Sequence, residues 1–417
     1  MVLRSVSPES LSSLRRAPVD PETLSAATSI VEEVRQNGES ALRKYAEKWD
    51  GIEPGAPLTY GRDALEAALG NLPEAARELL EGTAERIRAF AEAQRATLAP
   101  LDVSIPGGRA GHRLLPVASV GAYAPGGRYP LPSTVLMTAI PARVAGVQTV
   151  WVASPRPSET TLAAAAVAGA DGLLAIGGAQ AVANLAFGVV TPAVDMVVGP
   201  GNKWVTAAKK WLVGEIGIDA LAGPSELLVI ADESAAPRIV AADLLAQAEH
   251  DPDATPILVS TSAQLIASVQ EELQRQLEDL ATAEIARAAL ARNGVATQVD
   301  DLDQACRIAD RLAPEHLELC VNAPEEIAAR LRSYGSLFIG TQSAEVLGDY
   351  GAGPNHVLPT GGSARFQAGL SVSSFLRPAT WLRLDAPELI ARECAQLARI
   401  EGLEAHARAA ELRRDDT

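Results

Sequence analysis

This chain of 417 residues lacks most of what would mark an exported, cross-linked or nucleic-acid-binding protein. Its three cysteines, Cys306, Cys320 and Cys394, are far apart and form no CxxC pattern, which excludes a disulfide framework and a cysteine metal knuckle. They read as buried thiols in a reducing compartment. Positive charge is also short: 36 lysines and arginines face 52 aspartates and glutamates, a formal net charge of −16. Such a surface repels nucleic acid and anionic membranes. Lysine is confined to Lys44, Lys48, Lys203, Lys209 and Lys210, so arginine carries most of the cationic charge. The first residues, MVLRSVSPESLSSLRR, hold no apolar core of signal-peptide length. The uncharged run 172–194 is long enough to cross a bilayer, yet Gly177, Gly178, Gln180, Asn184, Gly188 and Pro192 suit a strand, a glycine turn and a buried helix better. Finally, no GxGxxG follows any strand-like segment, so a standard dinucleotide fingerprint is missing.

What is present is an ordinary globular composition, 47% hydrophobic and 21% charged, in a chain long enough for two or three packed units. Residues 21–95 place Ile30, Val31, Val34, Leu42 and Tyr45 near helical spacing, with a break at Asn37-Gly38. From Pro100 the texture becomes β-rich, with 114–124 strand-like. Strands and helices then alternate twice: 149–153, 173–176 and 194–198 with their helices, and then 227–230, 257–260, 295–299 and 336–339 with theirs. That alternation predicts parallel strands with crossover helices. Residues 366–384 read as loop-rich. From 386 to about 413 follows a long helix with Leu389, Ile390, Cys394, Leu397 and Ile400 on one side, a tail in need of a partner.

The stretch 218–253 carries the densest chemistry: a polar turn (Ala222, Gly223, Pro224, Ser225, Glu226), an apolar strand, then a helix ending in Gln247, Glu249 and His250. Gln247 and His250 are three residues apart, so on a helix an amide oxygen and an imidazole converge on one point. A metal fits there, and so does plain polar surface. Three glycine turns, at 125–127, 177–178 and 199–201, let backbone amides approach a phosphate, or simply pack tightly.

The motifs AGPSE and LLAQAEHDPDA together resemble the histidinol dehydrogenases. So do SVGAYAPGGRYPLPSTVLMTAIPA, GGAQAVANLAFG, VDMVVGPGNKWVTAAK, APEHLEL and LGDYGAGPNHVLPT, in that order along the chain. The resemblance implies an α/β fold of two incomplete Rossmann-like doubly wound domains, with small helical N- and C-terminal tail segments. Mapped here, that gives a tail at 1–20, a larger discontinuous domain at 21–122 and 227–370, an inserted domain at 123–226 and a C-terminal tail at 371–417. It implies one zinc ion per subunit on Gln247, His250, Asp349 and His406, ligand types that zinc accepts. A loop role for Asp349 and a solvated face for His406 are the plainer alternatives.

The same resemblance marks Glu315 and His316 as the catalytic pair. Hydride transfer from an alcohol needs a base, which neutral imidazole at His316 supplies, and aldehyde-to-acid conversion needs activated water, which Glu315 supplies. A helix N-terminus with a packed histidine is the alternative there. NAD contacts carry over to Tyr123, Gln180 and Asn202. Substrate contacts carry over to Ser225, Gln247, His250, His316, Asp349, Glu401 and His406. His356 lies in the GPNHVLP motif as a candidate lining residue, whereas His112 falls outside the motifs. The expected activity is NAD-linked oxidation of L-histidinol to L-histidine in the cytoplasm, by a homodimer whose tails are exchanged. A relative acting on another polar alcohol and a zinc-stabilised binding protein remain the alternatives.

Overall fold

The computed structural model describes residues 2–11, 17–126 and 129–413. Two six-stranded sheets and one three-stranded sheet organise the chain. The first sheet is parallel throughout, its strands Glu226–Ala231, Thr255–Ser260, Val295–Gln298, His316–Cys320 and Ser336–Ile339 lying in the spatial order third, second, first, fourth, fifth. The second repeats that order with Ser119–Tyr123, Thr149–Ala153, Gly172–Leu174, Met196–Val198 and Gly217–Ile218, and adds Thr59–Gly61 as an antiparallel edge. Both are doubly wound, as the alternation predicts. Their central strands are almost wholly buried, as those of sheets covered by helices on both faces must be.

Several expectations are corrected. Residues 4–5, assigned to a tail, form an edge strand beside Val295–Gln298. The strand-like run 114–124 is two strands, Gly108–Pro116 and Ser119–Tyr123, which enter different sheets. Residues 366–384, read as loop, contain the nine-residue strand Leu376–Leu384, antiparallel to Gly108–Pro116. Most of its side chains are exposed on both faces, so no apolar alternation announces it.

The helices Pro21–Tyr45, Arg62–Asn71 and Glu74–Ala96, grouped by expectation with 227–370, pack instead on the second sheet. Ala27, Ile30, Val31 and Val34 of the first share a core with helices Gly178–Phe187 and Lys203–Leu212, and the others lie on Glu159–Val167 and Pro132–Ala145. That sheet would otherwise expose the outer faces of its helices. The expected break at Asn37-Gly38 is a kink inside Pro21–Tyr45, where Gly38 takes a φ of 55°. The tail is two helices, Glu388–Ile400 and Glu404–Glu411, separated where Gly402 turns left-handed at φ 75° and the Leu403 N–H closes on the Ala398 carbonyl. Leu389, Leu397 and Ile400 remain exposed there. So does Cys394, contrary to the expectation of three buried thiols; Cys306 and Cys320 are buried. The run 172–194 is a strand, a glycine turn and the helix Gly178–Phe187. Among the described residues no helix is long and apolar enough to cross a membrane.

Candidate active site

Glu315 and His316 enter their strand by a constrained route. Helix Leu302–Leu312 stops at Ala313, left-handed at φ 51° without being glycine, its N–H closing on the Ala309 carbonyl at 2.7 Å. Gly335 lies so close behind that a Cβ on it would come within 2.5 Å of the Glu315 carbonyl oxygen. The N–H groups of Gly335 and Ser336 bond the carbonyls of Pro314 and Glu315. Both site side chains are buried, 6% and 3% exposed. Glu226, the last residue of AGPSE, holds the pair: its N–H donates to Glu315 Oε2 at 2.9 Å and its carbonyl lies 3.2 Å from His316 Nδ1. Carboxylates surround the imidazole, with Glu345 Oε1 3.3 Å and Glu315 Oε2 3.8 Å from Nδ1, and Asp349 Oδ1 3.6 Å from Nε2.

Burial pushes the Glu315 carboxyl up to about 8, because desolvation outweighs the pull of His316. At His316 burial acts downwards, but Glu345, Glu315 and Asp349 outweigh it and hold the imidazole up at about 10. These surroundings therefore favour imidazolium. The neutral base expected at His316 requires that part of the carboxylate field be cancelled.

A cation has a place to do so. Gln247, in the last turn of helix Pro237–Ala248, is fully buried, and neither its Oε1 nor its Nε2 has a hydrogen-bond partner. Leaving a buried polar group unpaired costs ~1–3 kcal/mol. His250 lies just past the helix end, where its N–H still reaches the Gln247 carbonyl at 3.4 Å, so the two stay on one turn. One ligand atom each from His250, Glu345 and Asp349 falls within 4.8 Å of the others. An orphaned amide oxygen beside imidazole nitrogen and carboxylate oxygen fits a zinc-type ion. Glu345 shares this radius, but its Oε1 faces His316.

His406 does not join the group within one chain. It and Glu401 are exposed on the tail, and His406 belongs to neither of the two potential ligand clusters among the described residues. Ser225 is half-buried beside Glu226, its carbonyl accepting the Thr255 N–H at 2.9 Å. His356 bridges the two α/β units: Nδ1 lies 2.9 Å from the Asp349 carbonyl and Nε2 3.2 Å from Thr134 Oγ1, in the first turn of Pro132–Ala145. His112 is half-buried inside strand Gly108–Pro116, away from these groups.

The pair Glu315–His316 sits at the amino end of its strand, whereas ligands of open α/β sheets collect at carboxyl ends. The residues expected to contact NAD lie at such an end of the second sheet. Tyr123 ends its central strand, Gln180 lies in the first turn of the helix after Gly172–Leu174, and Asn202 caps Lys203–Leu212, accepting from the Trp204 and Val205 N–H groups. This is the carboxyl edge, where the strand order reverses.

Its glycine turns are not open cradles, however. The Gly177 N–H and Gln180 Nε2 both donate to Asp50 Oδ2, at 3.2 and 3.3 Å, the Gly178 N–H donates to the Tyr123 hydroxyl at 3.1 Å, and the Gly199 N–H donates to Asp219 Oδ2 at 2.7 Å. Three of the amides that could face a phosphate are thus taken by the chain's own oxygens. Gly127, in the remaining turn, lies outside the described residues.

Asp50, Asp243, Glu318 and Glu345 escaped the sequence reading, because a carboxylate buried by distant segments looks like any surface acid. One signal was available. In His316–Cys320 the polar residues His316, Glu318 and Cys320 alternate with Leu317 and Leu319, a polar face on a strand buried throughout.

A profile of the histidinol dehydrogenase family matches residues 14–414. The histidinol dehydrogenase of Thermus thermophilus is 47% identical over 403 residues, 95% of each chain, and that of Pseudomonas aeruginosa 44% identical over 393 residues, 92% of this chain and 89% of the other. The crystal structure of histidinol dehydrogenase from Elizabethkingia anophelis superposes with a TM-score of 0.92 at 30% identity, covering 99% of this chain and 98% of that one. With its motifs, its two doubly wound sheets and nearly its whole length matched, the chain belongs to the histidinol dehydrogenases, a family of oxidoreductases.

Proposed function

We propose that this chain oxidises L-histidinol to L-histidine, the last step of histidine biosynthesis, in two successive hydride transfers to two NAD molecules through an enzyme-held aldehyde. Family membership supports the overall reaction, and one observation carries the site: the orphaned Gln247 amide one turn before His250, whose ligand atom lies within 4.8 Å of that of Asp349, next to a buried Glu315–His316 pair. Gln247, His250 and Asp349 of one chain would hold zinc, with His406 as the fourth ligand. When bound, zinc supplies Lewis acidity at the substrate oxygen. With the surrounding carboxylates offset by such a cation, the His316 imidazole would accept the hydroxyl proton of histidinol.

Oxidising the aldehyde to an acid consumes one water, which Glu315 deprotonates. Glu226 fixes both groups through its backbone, and Ser225, Glu401 and the metal-site residues contact the substrate. Tyr123, Gln180 and Asn202 line the NAD crevice at the carboxyl edge of the second sheet. The Thr134–His356–Asp349 contacts set that edge beside the metal group. The protein acts in the cytoplasm as a homodimer that exchanges tails.

Counting NADH formed against histidinol consumed tests the reading. Two per substrate is the expected result; one would indicate a simple alcohol dehydrogenase acting on a polar alcohol, and none a binding protein.

A further inference from the structure

Behind the proposed metal site lies a second group of acids that this mechanism does not use. Strand His316–Cys320 turns Glu318 to the same face as His316, under helix Pro237–Ala248, and one ligand atom each from Asp243, Glu318 and Cys320 falls within 4.8 Å of the others. Glu318 is 2% exposed. Its Oε1 accepts the Glu345 N–H at 2.6 Å, at the start of the short helix Glu345–Asp349. Its Oε2 meets no N–H or hydroxyl among the described residues, and a carboxyl oxygen of Asp243 lies within 4.8 Å of a carboxyl oxygen of Glu318. Two carboxyls this close share a hydrogen bond when one of them keeps its proton, and on the buried Glu318 side water does not replace it.

The placement gives the pair its meaning. Asp243 stands four residues before Gln247 on one helix, and Glu345 four residues before Asp349 on the other, so each lies one turn behind a proposed ligand on the same face. Asp243, Glu318 and the Glu345 N–H thus run as a row parallel to the row of ligands. Helix Glu345–Asp349 has only five residues and carries no side-chain cap of its own. A helix that short does not hold its position unaided.

We infer that Asp243 and Glu318 form a carboxyl clamp, a pair of positioning residues that fixes the helix carrying Asp349 against the helix carrying Gln247 and so sets the span of the metal site. The inference rests on reading Gln247, His250 and Asp349 as metal ligands. An apolar filler would pack this space as well, but it could not hold the Glu345 amide.

The test compares wild type, Glu318→Gln and Glu318→Leu as full-length protein. The glutamine can accept from Glu345 and donate to Asp243, whereas leucine keeps the bulk and loses both bonds. Zinc per chain is counted by atomic emission, zinc loss is followed with a chromogenic chelator, and amide exchange at 345–349 is measured in parallel. Glu318→Leu should bind zinc ~10-fold or more weakly, on the scale for groups that orient metal ligands, and should expose the Glu345 amide to exchange; Glu318→Gln should stay near wild type in both. Equal zinc retention and exchange in wild type and Glu318→Leu overturns the clamp, as does a glutamine variant as impaired as the leucine one. Two zinc ions per wild-type chain, one of them lost in Glu318→Leu, overturns it in favour of a second metal site at Asp243, Glu318 and Cys320. If wild type holds no zinc, the metal-site reading fails, and amide exchange alone decides the clamp. Should Glu318→Leu not fold, Asp243→Leu removes the less buried half of the pair, and the same two losses are expected of it.

Discussion

A carboxyl group buried beside another carboxyl answers to pH differently from one in water. Burial raises Asp243 from 3.8 to about 6 and, with the charge of Asp243 adding to it, Glu318 from 4.5 to about 8. The folded chain therefore keeps protons that the unfolded chain releases near pH 4. The stability contributed by the pair is complete below those unfolded values and is lost as pH rises through the folded ones. In zinc-free protein, the melting temperature of wild type should fall more steeply between about pH 5 and pH 8 than that of the double variant Asp243→Asn, Glu318→Gln. Parallel curves would show that the pair does not titrate in this window.

Glu315 is decided at the same scale. Only the aldehyde-to-acid half of the reaction consumes water, so Glu315→Gln should slow the oxidation of supplied histidinal by ~10²-fold or more while affecting the first oxidation less. Histidinal oxidised at the wild-type rate would assign water activation to another group.

Between elements, a buried ion pair fixes one turn at the proposed cofactor edge. Lys209, in the last turn of helix Lys203–Leu212, is 2% exposed at its side chain and pairs with Asp219, 6% exposed. The ammonium also donates to the Gly199 carbonyl at 3.0 Å, and Asp219 accepts the Gly199 N–H. One pair thus ties the turn after Met196–Val198 to the end of Gly217–Ile218. Removing one partner strands the other charge in the interior, so Lys209→Met should cost ~3–5 kcal/mol in chemical denaturation. Adding Asp219→Asn to it should restore part of the loss. A cost no larger than that of an exposed pair, ~1 kcal/mol or less, would mean that Asp219 reaches solvent without the lysine.

This scale also explains what could be read from the sequence. Most strands of both doubly wound sheets are short apolar runs followed by helices, a local pattern in which the sheets were legible; His316–Cys320, with its polar face, and the short strands Gly217–Ile218, Thr59–Gly61 and Arg4–Ser5 were not. The pairing of Leu376–Leu384 with Gly108–Pro116 joins segments more than 250 residues apart, and Leu376–Leu384 is exposed on both faces, so no local period records it. The helices of 21–96 were legible as helices, but their choice between two similar sheets depends on tertiary fit. The motifs located Gln247, His250, Glu315, His316 and Asp349. The carboxylates that tune and brace them were not legible, since the burial that gives them a role comes from other segments.

For the whole molecule, the question is what completes the metal site. Two proposed ligands, His250 and Asp349, stand together in one chain, with His250 exposed at the edge of the group and Gln247 three residues before it, while His406 is exposed on the tail. That tail packs chiefly on itself, helix Glu388–Ile400 against Glu404–Glu411, and it leaves Leu389, Leu397, Ile400 and Leu403 uncovered. Exposed apolar residues on a paired-helix tail suit contact with a second copy. In a two-fold dimer each tail would bring His406 and Glu401 to the other chain's site by the same operation. Mixing two inactive variants, His316→Asn and His406→Ala, under conditions of subunit exchange distinguishes the arrangements. If tails cross, a mixed dimer collects both lesions in one site and leaves the other intact, so its activity should return towards half that of wild type. If His406 serves its own chain, each site keeps one lesion and mixing restores nothing, which would rule out the exchanged tail.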